Sequence, residues 1–144
     1  MRAVVQRVLN AELKVEGKLI SKIGRGLVVF FGVKNGDVPA DADKIVKKIS
    51  ALRIFEDENR KMNLSVGDVG GEVLFVSQFT LYGDASHGNR PSFTEAARPE
   101  TAKPIYDYAA EKLRSLGVPV STGIFGADMK ILQENDGPVT ILLS

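Results

Sequence analysis

The stretch VSQFTLYGD, residues 76–84, places Ser77, Gln78 and Thr80 where an apolar, strand-like run gives out. A strand end is a rigid mount. Hydroxyls, an amide and a free backbone N–H held there can orient a carbonyl and stabilise the oxyanion that forms when it is attacked. The competing reading is simple alternation, with Gln78 and Thr80 on the solvent face of a continuing strand. Other routes to hydrolysis are scarce. The chain has no cysteine and one histidine, His87. That removes thiolate nucleophiles, thiolate zinc sites and any pair of histidines for a metal. A Ser-His-Asp triad would have to use His87, which lies in the loop-like DASHGNRPSF. No Gly-rich phosphate loop follows a strand. Glu56, Asp57 and Glu58 are adjacent in a polar turn and read as solvated rather than as an acid/base pair. Catalysis is expected to rest on hydroxyls, amides and backbone groups, with no metal or cofactor.

A second oddity closes the chain, in QENDGPVTILLS. Asp136-Gly137 between apolar runs is a strong hairpin signal, because glycine accepts the positive φ of tight turns. Pro138 does not fit so easily, since it gives up a ladder donor just where a strand should begin. Either proline is tolerated there as a first strand residue, or the turn presents a fixed piece of backbone to something.

The elements that must position these residues follow from periodicity. RAVVQRVLNAELKVEGKLISKIG reads as strands broken by a Glu16-Gly17 turn. GLVVFFGV is a continuous apolar run, as in a central strand buried on both faces. A helix is expected from Pro39, with Ile45, Val46, Ile49 and Leu52 as its buried stripe. RIFEDENRKMNL reads as a short strand and a polar turn, and GGEVLFV begins another strand. PETAKPIYDYAAEKLRSLG is a second amphipathic helix, with Ile105, Ala109, Leu113 and Leu116 apolar and Gly117 as its C′ residue. VPVSTGIF, MKILQ and PVTILLS read as three closing strands. The expected fold is mixed α/β (α+β): a barrel-like, largely antiparallel sheet with two main helices packed on one side.

The 144 residues suit a single domain, 1–144, and no repeat or linker interrupts them. At 44% hydrophobic and 26% charged the composition is that of a soluble globular protein. MRAVVQRV has no secretory pattern, and no apolar run approaches the roughly 20 residues of a membrane span. A cytoplasmic location and no membrane partner are expected. A net charge of +1 is low for a protein that grips long nucleic acid. Any such contact should be local, such as the end of a strand. Lys44, Lys47 and Lys48 read as a solvated helix face.

Four segments in order, VSQFTLYGD, GNRPSF, FGADM and NDGPVT, together resemble the D-aminoacyl-tRNA deacylase (D-Tyr-tRNA deacylase) family. The likeness runs from QRV near the start to GPVT near the end. It implies hydrolysis of the ester between a D-amino acid and the 3′ end of tRNA, with action on glycyl esters too. It implies a homodimer with its sites at the subunit interface. A Gly-cis-Pro pair of that family matches Gly137 and Pro138. Cis X-Pro bonds are only about 5–6% of such bonds in folded proteins. The pair would enter the neighbouring subunit's site and face its carbonyls to the substrate's α-amino group. A D-side chain then points out, an L-side chain strikes backbone, and glycine passes. Ser77, Gln78, Phe79 and Thr80 would line the hydrolytic end, with the Phe79 N–H on the ester carbonyl and Thr80 in a supporting role, since no base is evident beside it. Arg7 would hold the Gly-Pro loop. Phe125, Gly126, Ala127 and Met129 would receive the terminal adenine, which suits aromatic and soft apolar groups. His87 stands where many relatives carry a basic residue, and Tyr82 and Asp84 receive no role. The alternatives left open are a module that binds RNA ends without hydrolysis and a different esterase using Thr80 or Ser77 as nucleophile.

Overall fold

The computed structural model describes residues 1–144. Strand β1 (Arg2–Val15) turns through Glu16 and Gly17, with φ of 50° and 77°, into β2 (Lys18–Ile23). Two residues at positive φ are what a tight hairpin needs. Then come β3 (Gly26–Gly32), α1 (Pro39–Ala51), a small hairpin of β4 (Phe55–Glu56) and β5 (Met62–Leu64), and β6 (Glu72–Ser77). A 3-10 turn (Phe79–Tyr82), α2 (Pro99–Ser115), β7 (Val120–Thr122) and β8 (Lys130–Leu143) complete the chain.

β1 is the spine of the sheet. It pairs antiparallel with β8 along one edge. Along the other it pairs with β3 over Arg2–Val8 and with β2 over Ala11–Val15. β3, β6 and β7 continue the sheet in parallel, so only the β1 half is antiparallel. The Ser21 hydroxyl of β2 donates to the Thr122 carbonyl of β7, which brings the sheet almost to closure. The expected barrel-like sheet with two helices is what forms.

Strand alternation divides the core. Leu27, Val29 and Phe31 of β3 and Val73 and Phe75 of β6 face the helices, meeting Ile45, Val46 and Ile49 of α1 and Ile105, Ala109 and Leu113 of α2. Val28, Leu74 and Val76 face the other way, into a cluster with Val8, Ala11, Leu13 and Ile23. Burial on both faces explains why GLVVFFG shows no polar alternation. α1 begins at Pro39 with the Asp41 carboxylate accepting the Val38 N–H at 2.8 Å. α2 stops at Gly117, whose φ of 86° is the left-handed cap. Leu116, expected in the stripe of α2, lies past the last turn and is half-exposed.

The end of the chain differs from its reading. Residues 130–143 form one strand, not two joined by a hairpin. Both halves pair with β1, which at 14 residues is long enough to accept them. Val8 pairs with Asn135 and Gln6 with Thr140, so Asp136–Val139 bulge out opposite Arg7. Asp136-Gly137 therefore makes an enlarged bulge, with Gly137 at φ 124° and the Gly137-Pro138 peptide cis. Inside a bulge, Pro138 has no ladder bond to lose. No helix is long and apolar enough to cross a membrane.

Candidate active site

β6 ends at Ser77, and the chain turns at once into the 3-10 turn rather than continuing as a strand. Gln78 and Thr80 are therefore not alternating strand residues. The turn is fixed from several sides. The Gln78 N–H donates to the Phe31 carbonyl at 2.8 Å, tying it to β3. Gly32 lets it pack close, since a Cβ there would lie 2.9 Å from the Gln78 carbonyl oxygen and 3.2 Å from Leu81 Cβ. Arg2 donates to the Leu81 carbonyl at 2.9 Å and lies 4.6 Å over the Tyr82 ring. The first N–H groups of such a turn, here those of Phe79 and Thr80, have no partner within it.

Beside the turn opens a cavity of about 530 Å³. Its walls include Ser77, Gln78 and Phe79 on one side and Phe125, Gly126, Ala127 and Met129, from the loop before β8, on the other. The loop before α2 and the first turn of α2 complete it with Phe93, Ala96, Ala97, Pro99 and Ala102. That loop is pinned by an Ala97 N–H to Val33 carbonyl bond of 2.9 Å and by paired bonds of 2.7 and 2.9 Å between Asp84 and Ser92. Phe79, 55% exposed, meets Phe93 edge to face at 5.3 Å between ring centres. Tyr106 links the two walls from beneath. Its ring stacks on Phe75 at 5.2 Å and lies 6.0 Å from Phe125, and its hydroxyl donates to the Phe75 carbonyl at 2.5 Å. Burial pushes that hydroxyl far above the ordinary tyrosine range, so it remains a donor at any physiological pH.

The seven residues Ser77, Gln78, Phe79, Phe125, Gly126, Ala127 and Met129 thus line one cavity. Thr80 is outside the lining, and its hydroxyl accepts from the Gln78 side-chain amide. Arg7, Gly137 and Pro138 are elsewhere. Arg7 is 6% exposed, beneath the bulge. It donates to the Asp136 carbonyl at 3.1 Å and the Ile54 carbonyl at 2.7 Å, and its guanidinium is 3.3 Å from the Asp136 carboxylate. Gly137 and Pro138 are exposed at the surface. His87, with a side chain 91% exposed, is a surface loop residue. Its neighbours Ser86 and Asp84 look like triad partners by type only. The Ser86 hydroxyl and N–H both bond the Asp84 carboxylate, holding its pKa below the ordinary value, and the group sits in open solvent. Phe93, Ala96, Ala97, Pro99, Ala102 and Asp128 of the lining were not singled out from sequence. Of these only Phe93, within GNRPSF, and Asp128, within FGADM, lay in segments that carried a signal.

A family model described as D-Tyr-tRNA(Tyr) deacylase matches residues 4–144. The chain belongs to that family. A D-aminoacyl-tRNA deacylase of Desulfitobacterium hafniense is 55% identical over 143 residues, covering 99% of this chain and 96% of that protein. One from Thermotoga petrophila is 57% identical with the same coverage. Among solved structures, the c-Myc DNA Unwinding Element Binding Protein superposes with a TM-score of 0.95 at 44% identity, over 100% of this chain and 98% of that one. A structure described as a probable eukaryotic D-amino acid tRNA deacylase superposes with a TM-score of 0.82 at 20% identity, over 99% and 97% of the two chains, and so shares the fold. In this D-Tyr-tRNA(Tyr) deacylase family member, all four quoted segments lie at the cavity, the loop beside it or the bulge.

Proposed function

We propose that this chain hydrolyses the ester bond of D-aminoacyl-tRNA, releasing the free D-amino acid and tRNA, and that it does so in the cytoplasm as a chiral check on translation. One observation carries the reading: a single cavity joins a polar strand end at Ser77–Phe79 to an aromatic and methionine wall at Phe125–Met129. The first suits an acyl carbonyl and the second a terminal adenine. The Phe79 N–H holds the carbonyl oxygen. Water attacks the carbonyl carbon, the bond to the ribose oxygen breaks, and the proton lost by the water ends on that oxygen. The neighbouring ribose hydroxyl of the tRNA serves as relay. No side-chain base is needed, and Thr80 is support: its partner is an amide N–H, which cannot take up a proton.

Selection against L-esters is assigned to Gly137 and Pro138 of a second copy of the chain, held in place by Arg7. Their exposure on the bulge, away from their own cavity, supports a role in trans. Glycyl esters carry no side chain and would pass. The test is single-turnover deacylation of D-Tyr-tRNA beside L-Tyr-tRNA. Rapid release from the first alone is expected. Tight binding of both without release would establish the other reading, a module that binds RNA ends without hydrolysis. Trapping of an acyl-enzyme would instead establish a side-chain nucleophile.

A further inference from the structure

Residues 44–55 carry four basic side chains, Lys44, Lys47, Lys48 and Arg53, and no acidic one. Arg53 is engaged by Asn63. The three lysines are exposed on α1. Lys47 and Lys48 each lie one turn from Lys44, and like charges at that spacing repel. No carboxylate pairs with any of the three. Those of the same helix are used elsewhere: Asp41 accepts the Val38 N–H at 2.8 Å, and Asp43 accepts the Tyr108 hydroxyl at 2.7 Å. That second bond sets the two helices side by side. Lys112 follows Tyr108 by one turn, as Lys47 follows Asp43, and it too is exposed and unpaired. The other cations of α2 are compensated on their own helix, Lys103 by Asp107 at 2.7 Å and Arg114 by Glu111. With a net charge of only +1, the chain is not basic in general, so the cationic face is a local feature.

The helices connect this face to the cavity. β3 and β6 run parallel, and the residues at their ends, Val33 and Ser77, line the cavity. α1 and α2 follow those strands, so both start at the cavity end and run away from it. Pro99 and Ala102, in the first turn of α2, are part of the cavity wall. At about 1.5 Å per residue, Tyr108 and Lys112 lie about 9 and 15 Å beyond Ala102 along the axis. Stacked nucleotides advance about 3.4 Å each along a strand, so about three or four of them cover that distance. We propose that the outer face of α1, with Lys112 of α2 beside it, holds the acceptor-stem phosphates of the tRNA whose 3′ end enters the cavity. The inference rests on the reading that the cavity takes that end. The face is on the helix layer and not on the open edge of β8. A phosphate among the ammonium groups turns their repulsion into attraction. Lysine, a point charge on a flexible stem, suits a contact that positions without reading sequence.

The experiment compares wild type, the triple variant Lys44→Gln/Lys47→Gln/Lys48→Gln, the single variant Lys112→Gln, and a control triple, Lys14→Gln/Lys18→Gln/Lys61→Gln. The control removes the same charge from exposed, unpaired lysines elsewhere on the chain. The probes are uncharged tRNA, its single-stranded 3′ end alone, D-Tyr-tRNA and the minimal ester D-tyrosyl-adenosine. Each lysine that holds a phosphate contributes about 1 to the slope of log affinity against log salt. For uncharged tRNA the α1 triple should lower that slope by about 3 and Lys112→Gln by about 1, while the control leaves it in place. The slope for the 3′ strand alone should not change. The α1 triple should raise the KM for D-Tyr-tRNA about tenfold with kcat unchanged, and hydrolyse D-tyrosyl-adenosine as wild type does. Its melting temperature should not fall, because a repulsion is removed. An unchanged slope, an equal loss in the control, an equal loss with the 3′ strand alone, or a parallel change with D-tyrosyl-adenosine overturns the proposal. A change in solution mass in the α1 triple would give the face to contact between copies, and overturns it too. Should wild type hydrolyse neither ester, the proposed function fails, and the slopes with uncharged tRNA still decide the face.

Discussion

Thr80 is the residue on which two mechanisms divide. A nucleophile needs a base within hydrogen-bond reach, and the contact found is the Gln78 amide. We expect Thr80→Ala to keep deacylation of D-Tyr-tRNA within roughly tenfold of wild type, the scale of one modest hydrogen bond. Removal of a true nucleophile costs on the order of 10⁶-fold, so a single-turnover rate separates the cases. His87→Ala is the matching comparison. With its ring in solvent and outside the cavity, the variant should keep both the rate and its pH profile. Loss of a titration step in that profile would restore the histidine to the mechanism. Arg7 shows the opposite condition: a cation buried with no freedom to act on solvent, committed to two carbonyls and a carboxylate.

At the scale of elements, the 3-10 turn after β6 matters because it is short and must be held from outside. Gly32 is the floor beneath it. Gly32→Ala puts a methyl 2.9 Å from the Gln78 carbonyl, which is backbone and cannot swing aside. We expect a loss of about 1–3 kcal/mol in stability, as for other overpacked sites. The single-turnover rate should fall while the affinity for uncharged tRNA holds, since the adenine wall is on another element. Equal loss of both would mean that the turn does not carry the hydrolytic end separately. The sequence made much of this level legible. The strand within 26–33, the Ile45, Val46 and Ile49 stripe of α1 and Gly117 each reflect local periodicity or local φ and formed as read, whereas Leu52, expected in that stripe, is the C-cap past the helix and only partly buried. The bulge at 136–139 was not legible, because its geometry is imposed by Arg7 and by pairing of both flanks with β1, well over a hundred residues away. The 3-10 turn was missed for a similar reason: its anchors are Phe31, Gly32 and Arg2, which no local window contains. Of the cavity residues, Ser77 and Gln78 were found where polar groups broke an apolar run, whereas Phe79, Phe125, Gly126, Ala127 and Met129 came only from the family resemblance. Ala96, Ala97 and Ala102 broke none, and only the packing of the loop and α2 brings them to the wall.

For the whole molecule, the separation of the bulge from the cavity becomes an argument about copies. β8 is paired on one side only, and Leu132 and Leu142 along it are 73% and 76% exposed. A long strand edge with outward leucines invites a partner. We therefore expect a solution mass about twice the 15.6 kDa of the chain, measured by sedimentation. Mass alone does not show that sites are shared, but mixing does. Gly137→Ala disturbs only the bulge: at φ 124° its new methyl would sit 3.1 Å from the Val139 nitrogen and 3.2 Å from Arg7 Nη2. Ala127→Trp fills only the cavity. Each variant alone should be poorly active. In a two-fold dimer whose cavity is gated by the other copy, a mixed pair contains one intact cavity facing one intact bulge. Reassociating equal amounts makes about half the dimers mixed, so about a quarter of the wild-type sites return. Recovery near that level, read as D-Tyr-tRNA deacylation after mixing, is the expected result. No recovery from well-mixed, correctly folded dimers would mean that Gly137 and Pro138 serve their own chain, and the gate in trans would have to be abandoned.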